Sequence, residues 1–270
     1  MSTLCHSVLS NQGYSQDTAN HFEDYGTPAV GDNAAIPSQN VGWTTRKEWF
    51  ANSKWVYFNI TLHHDIATLR NHIPPNQKIE VICERNPDSF CTSGRPAAGK
   101  TYPIDLENVH LSLDRIEPSS EVQKHYLEQI KAGFNPRLTI DRSVIKSYIV
   151  TGDKSDLSHY NIISGSQLPD QIIIGIVSEE AYNGSLATNP FKFDDYDIIE
   201  ASLLVNGRHE PVEMYKMNKS ENDTADMWSN FLTNVGLGPG DDTQIGLTKE
   251  DYFGGTFLLA WDRTPDKCNR

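Results

Sequence analysis

At 270 residues and 30.3 kDa the chain has the length of one large all-β domain or two modest ones. Its 23 Lys and Arg against 36 Asp and Glu leave a net charge of −13, which argues against binding a phosphate backbone over a broad surface. A hydrophobic content of 37% excludes a disordered chain, and no apolar run approaches the roughly 18 residues of a membrane span.

Residues 1–42 are rich in Gly, Asn, Ser and Asp with little periodicity, and read as an irregular N-terminal segment. The opening, Met1–Ser7, has neither a charged n-region nor an apolar h-region, so no secretory signal is expected and the chain reads as intracellular. From Trp55 to Leu62 the composition turns β-branched and aromatic, which predicts a strand. Lys78–Glu84 largely alternates, with Ile79, Val81 and Cys83 on one face and only Ile82 out of phase, and predicts another. Tyr102–Asp114 places Ile104, Leu106, Val109, Leu111 and Leu113 with one slip of phase near Glu107 and Asn108, as a β-bulge would produce.

Ser119–Gly133 carries the one clear helix pattern: a serine cap, a stripe of Val122, Tyr126, Leu127 and Ile130, and a terminating glycine. Beyond it, strands are expected at Arg137–Ile140, Ser143–Val150, Gln171–Val177, Asp197–Val205 and Gly255–Trp261, with Asn206–Gly207 a hairpin turn. Short strands, long loops and one connecting helix predict an all-β chain of β-sandwiches.

Catalytic signatures are sparse. The P-loop, dinucleotide, nucleophile-elbow and HExxH motifs do not occur. His63, His64 and Asp65, with His72 nearby, form the best ligand-like cluster, and a cupin-type metalloenzyme using His63, Asp65 and His72 is one alternative. Adjacent strand residues point to opposite faces, which favours strand-end polar residues over a shared ion. The pairs Asp194–Asp195 and Asp241–Asp242 lack EF-hand spacing and read as solvated surface. The four cysteines form no CxxC pair; they read as reduced thiols, with Cys83 a small core residue. Four N-x-S/T matches, at Asn59, Asn183, Asn218 and Asn222, read as chance occurrences. The residues thus point to no catalytic group, no cofactor and no metal.

Two series of blocks, however, have a familiar order. The first comprises Gly42–Arg46, Asn52–Lys54, Leu62–Ile66, Ile73–Pro75, Asp88–Cys91 and Val109–Leu113. The second comprises Leu168–Val177, Ala181–Ser185, Asn189–Phe193, Leu204–Gly207, Asp251–Gly255 and Trp261–Asp266. Together, over residues 42–266, they resemble the capsid-type proteins of Polinton/Maverick elements and adintoviruses. The resemblance implies a double jelly-roll major capsid protein: two eight-stranded sandwiches side by side, three copies forming a pseudo-hexagonal capsomer of an icosahedral shell. It also implies location in the virion, and partners that are other copies and further capsid proteins such as a penton. On this reading residues 43–118 are the first jelly-roll portion, 119–133 a connecting helix and 134–270 the second portion. The family pattern extends further on both sides, so the opening strands of the first roll and the closing strands of the second are expected to be missing.

The long loop bearing Tyr182, Asn183, Phe191 and Phe193 is then a candidate subunit interface, with Phe191 or Phe193 docking in a neighbour or packing on its own sandwich. No basic run exceeds Arg46–Lys47, so genome packaging is expected to fall to separate basic proteins rather than to direct nucleic-acid binding. Two further readings stay open: a minor or vertex capsid protein, and a ligand- or glycan-binding β-sandwich using Trp43, Trp49 and Trp228.

Overall fold

The computed structural model describes residues 12–30, 33–62, 64–68, 73, 78–95, 100–134, 140, 142–151, 168–237 and 246–264. In chain order the helices are α1 (Val41–Trp49), α2 (Asp65–Thr68), α3 (Asp88–Cys91) and α4 (Ser120–Lys131), followed by α5 (Glu179–Asn183), α6 (Ala225–Val235) and α7 (Lys249–Phe253). The strands are β1 (Gln171–Gly175), β2 (Glu200–Val205), β3 (Arg208–Lys216) and β4 (Leu258–Asp262). The chain divides into two units. One comprises Met1–Ile60, Asn86–Tyr102 and Ser158–Arg270; the other comprises Thr61–Arg85 and Pro103–Leu157.

The first unit holds the core. Strands β1 and β4 pair antiparallel from Gln171↔Asp262 to Gly175↔Leu258. Strands β2 and β3 form a hairpin whose Asn206 and Gly207 both have positive φ (51° and 80°), the primed turn that matches strand twist. The register shift between Ala201 and Leu203 marks an irregularity in β3, where residues 211–214 stand against the single Ser202 of β2. Helix α6 packs on β4 and β3, because Met227 and Phe231 lie one turn apart on one face and are both buried. Around them Tyr252, Phe257, Leu259, Ala260 and Trp261 close an aromatic-rich core, with ring centroids of Phe231 and Tyr252 4.8 Å apart. Gly236, at φ 86°, ends α6 in the left-handed region and lets Leu237 N–H reach the Leu232 carbonyl at 2.9 Å.

The N-terminal residues are fastened to this unit. Buried Asn40 caps α1 by accepting from Trp43 N, and its Nδ2 donates to the Phe22 carbonyl. Phe22 is buried beside Gly255, where a Cβ would lie 2.6 Å from its ring, and Asn20 N donates to the Gly254 carbonyl at 2.7 Å. Asp24 accepts from Gly26 N and Gln39 N, closing the turn at whose other end Thr27 bridges to Ile36.

In the second unit α4 displays its stripe to solvent: Val122, Leu127 and Ile130 are exposed and Tyr126 is half-buried. Leu106, Val109, Leu111, Leu113, Val144, Ile145 and Ile149 are exposed as well, Ile145 to 96%.

The expectation of an all-β chain of two jelly-roll sandwiches is overturned. Among the described residues there are only two antiparallel pairs of strands, beside seven α-helices. Alternating hydrophobicity makes a segment fit for a half-buried sheet surface, but a strand exists only when a neighbouring backbone completes its hydrogen-bond ladder. The described parts of 55–62, 78–84, 102–114 and 143–150 have the pattern without the ladder. Cys83, expected in the core, is exposed: the segment it shares with Ile79 and Val81 has no ladder partner among the described residues. The phase slip near Glu107 coincides with Asn108 in the left-handed region, at φ 54°. Helices α1, α6 and α7 occupy stretches where no helix was expected, although Met227, Phe231 and Val235 form an i, i+4, i+8 stripe in α6.

Candidate interaction surface

The loop singled out from sequence is built on two short helices. Ser178 caps α5 through Ala181 N, and α5 lies against α3. Gly184, at φ 87°, makes that approach possible: a Cβ there would sit 2.9 Å from Phe90 N. Gly94 N donates to the Leu186 carbonyl at 2.6 Å, fixing the following turn. Tyr182 and Asn183, at the end of α5, are exposed.

Asn189 then organises the rest of the loop. It is buried, its Oδ1 accepts from Phe191 N at 3.0 Å, its Nδ2 donates to Asp17 Oδ2 and its backbone N–H donates to Glu23 Oε1, both at 3.1 Å. Asp17 also receives Arg46 at 2.6 Å. Lys192 lies between Glu23 (3.1 Å) and Asp194 (3.0 Å). Burial pulls its ammonium pKa down, but the hydrogen bonds to Asp194 and Glu23 outweigh burial and hold it above the ordinary lysine value. Tyr25 is pushed up to about 12, by burial first and then by the nearby Glu23 carboxylate.

The two phenylalanines of the loop part company here. Phe191 is 64% exposed and meets Phe90 edge-to-face, centroids 6.1 Å apart. Phe193 belongs to the fold: its N–H donates to the Gly255 carbonyl, its carbonyl accepts from Phe257 N, and its ring fills the space a Cβ on Gly175 would need. Tyr182, Asn183 and Phe191 are thus presented to solvent, while Phe193 anchors the loop they stand on. The Asn189 network, which joins residues up to 172 positions apart, left no local signature by which sequence reasoning would have found it.

The other candidates resolve as follows. His63 and His72 lie outside the described residues; His64 Nδ1 accepts from Ile66 N, a local turn contact. Among the described residues no group of three or more His, Cys, Asp or Glu could hold a metal ion. Asp194 and Asp195 serve separate partners, Lys192 for the first and Lys219 with Asp197 N for the second, and Asp241–Asp242 lie outside the described residues. Trp43 donates Nε1–H to the Ser93 carbonyl and tilts against Tyr25, and Trp228 packs on Phe231 and Tyr252. Trp49 is half-buried. All three indoles are half-buried, neither fully covered nor fully open to a ligand. Ser202 Oγ, opposite the β3 irregularity, lies 2.8 Å from His209 Nδ1 on the hairpin, a hydroxyl–imidazole contact that sequence spacing did not reveal. No helix among the described residues is long and apolar enough to cross a membrane.

Comparison with known proteins adds little. No family model and no solved structure matches the chain. A Caenorhabditis elegans protein, described as "Uncharacterized protein F54H12.2", is 33% identical over 69 residues, which is 26% of this chain and 16% of that protein.

Proposed function

We propose that this chain is a structural, self-associating protein of the capsid type its sequence resembles, working without catalysis as a building block of a shell. The observation that supports this is the second unit's supply of β-patterned segments whose apolar residues face solvent, Val109 to 81% and Ile149 to 85%. Such segments template pairing with another chain, and their exposure in an isolated copy is costly unless other copies cover them. The loop bearing Tyr182, Asn183 and Phe191 offers a second contact, with exposed Phe191 seated against half-buried Phe90. On this reading three copies form a capsomer, further capsid proteins such as a penton join it, the protein resides in the virion, and the genome is handled by separate basic proteins.

Sedimentation of the purified chain over a concentration series tests the proposal, with negative-stain imaging of the heaviest fraction. Trimers or larger closed particles are expected. A chain that stays monomeric at every concentration reached would overturn it, as would turnover of a small substrate abolished by Ser202→Ala.

A further inference from the structure

Lys78–Glu84 is an exposed segment in the second unit with no ladder partner among the described residues. Its Lys78 and Glu80 pair at 2.9 Å, residues i and i+2, the spacing at which an extended chain puts two side chains on one face. Lys78, Glu80, Ile82 and Glu84 then share that face, and Ile79, Val81 and Cys83 share the other.

We infer that this segment pairs antiparallel with the same segment of a second copy, about a two-fold axis at Val81. In that register Lys78 of each copy stands directly opposite Glu84 of the other, Ile79 opposite Cys83, Glu80 opposite Ile82, and Val81 opposite itself. Two Lys–Glu pairs therefore form on one face and an apolar row forms on the other. Moving the axis to Glu80 sets Glu80 against its own copy; moving it to Ile82 sets Glu80 against Glu84. Both shifts put like charges directly opposite, where they repel. A half-step shift crosses the polar face with the apolar one. Among these neighbouring registers the charge order thus favours the one centred on Val81, and isologous pairing of this kind closes as a dimer contact. The neighbouring charge, Arg85, donates Nη1–H to the Ile104 carbonyl of its own chain.

The inference rests on the reading that the chain self-associates, but it is separable from it. Sedimentation equilibrium on the full-length chain would compare wild type with Lys78→Glu, Glu84→Lys and the double exchange. All four side chains involved are exposed, so circular dichroism should show unchanged folding. Each single reversal replaces two attractive pairs by two repulsive ones and should weaken dimerisation about tenfold; the double exchange should return it to within about twofold of wild type. Net charge alone predicts otherwise, because Glu84→Lys makes a chain of −13 less acidic and would strengthen association. Should Glu84→Lys associate as well as wild type, or the double exchange stay as weak as the singles, the two-fold pairing is wrong while self-association stands. A wild-type chain that never leaves the monomer sinks both.

Discussion

Asn189 is the side chain on which the exposed loop depends. Its three hydrogen bonds tie Phe191, Asp17 and Glu23 to one point, and truncation leaves the Asp17 carboxylate short of a donor in a mostly buried position. Asn189→Ala should therefore cost about 2 kcal/mol in urea denaturation, whereas Phe191→Ser, at an exposed ring, should leave stability within about 0.5 kcal/mol and lower self-association. Two titrations belong at this scale. Asp24 is held below the ordinary carboxylate value by Gln39 N first and Gly26 N second. A lowered folded-state pKa gives stabilisation that is present above the unfolded value and lost as pH falls through the folded one. Protection factors at Gly26 and Gln39, exchange corrected for its intrinsic pH dependence, should accordingly fall on acidification below the usual carboxylate range. Tyr25, raised to about 12, behaves in the opposite sense: an unfolded tyrosine ionises first, so its contribution is whole below pH 10 and disappears as pH climbs through 12. Phenolate absorbance that rises together with unfolding would bear this out; full ionisation of Tyr25 in the folded protein near its ordinary value would refute it.

Helices α4 and α6 separate what a pattern encodes from what burial decides. Helix α4 was legible over nearly its whole length, because Val122, Tyr126 and Ile130 repeat every four residues between a serine cap and Gly133. Yet its stripe is uncovered, so Val122→Ala should change stability by less than about 0.5 kcal/mol, with the better helix propensity of Ala offsetting lost contacts. Helix α6 was missed. Its stripe of Met227, Phe231 and Val235 was present in the sequence, but Ser229, Asn230, Thr233 and Asn234 lower its intrinsic propensity, and packing against β3 and β4 stabilises it. Phe231→Ala should therefore cost about 3–5 kcal/mol by thermal or urea denaturation, a large share of any domain's stability. Helix α1 was missed for a related reason: Val41, Thr44 and Thr45 are poor helix formers, and the helix is held by Asn40 at its start and by Arg46 reaching Asp17 and the Ser15 carbonyl. The β2–β3 turn was legible because Asn-Gly is chemically suited to two successive positive φ values. The strand-like stretches of the second unit misled for the opposite reason, since nothing in one segment's alternation says whether a neighbour will complete its ladder.

At the scale of the whole molecule, the sign of salt dependence discriminates between the ways this chain can associate. Each copy carries −13, so bringing copies together is opposed by mean-field repulsion, and the drive for association must come from covering apolar side chains such as Val109, Ile145 and Ile149. Raising ionic strength from about 0.01 M to about 1 M shortens the screening length from about 30 Å to about 3 Å. The repulsion is then screened away while apolar burial is retained. The weight-average mass should rise across that range, even though the local Lys78–Glu84 attraction itself is weakened. A nucleic-acid-binding protein shows the reverse, because counterion release makes its affinity fall steeply with salt. Sedimentation velocity of the chain alone and with duplex DNA, over the same salt series, reads both at once. Self-association that strengthens with salt, without a salt-sensitive DNA complex at the low end, is the outcome a shell-building protein of this charge requires. Self-association that dissolves as salt is added would mean that ion pairs, and not covered apolar surface, hold the copies together.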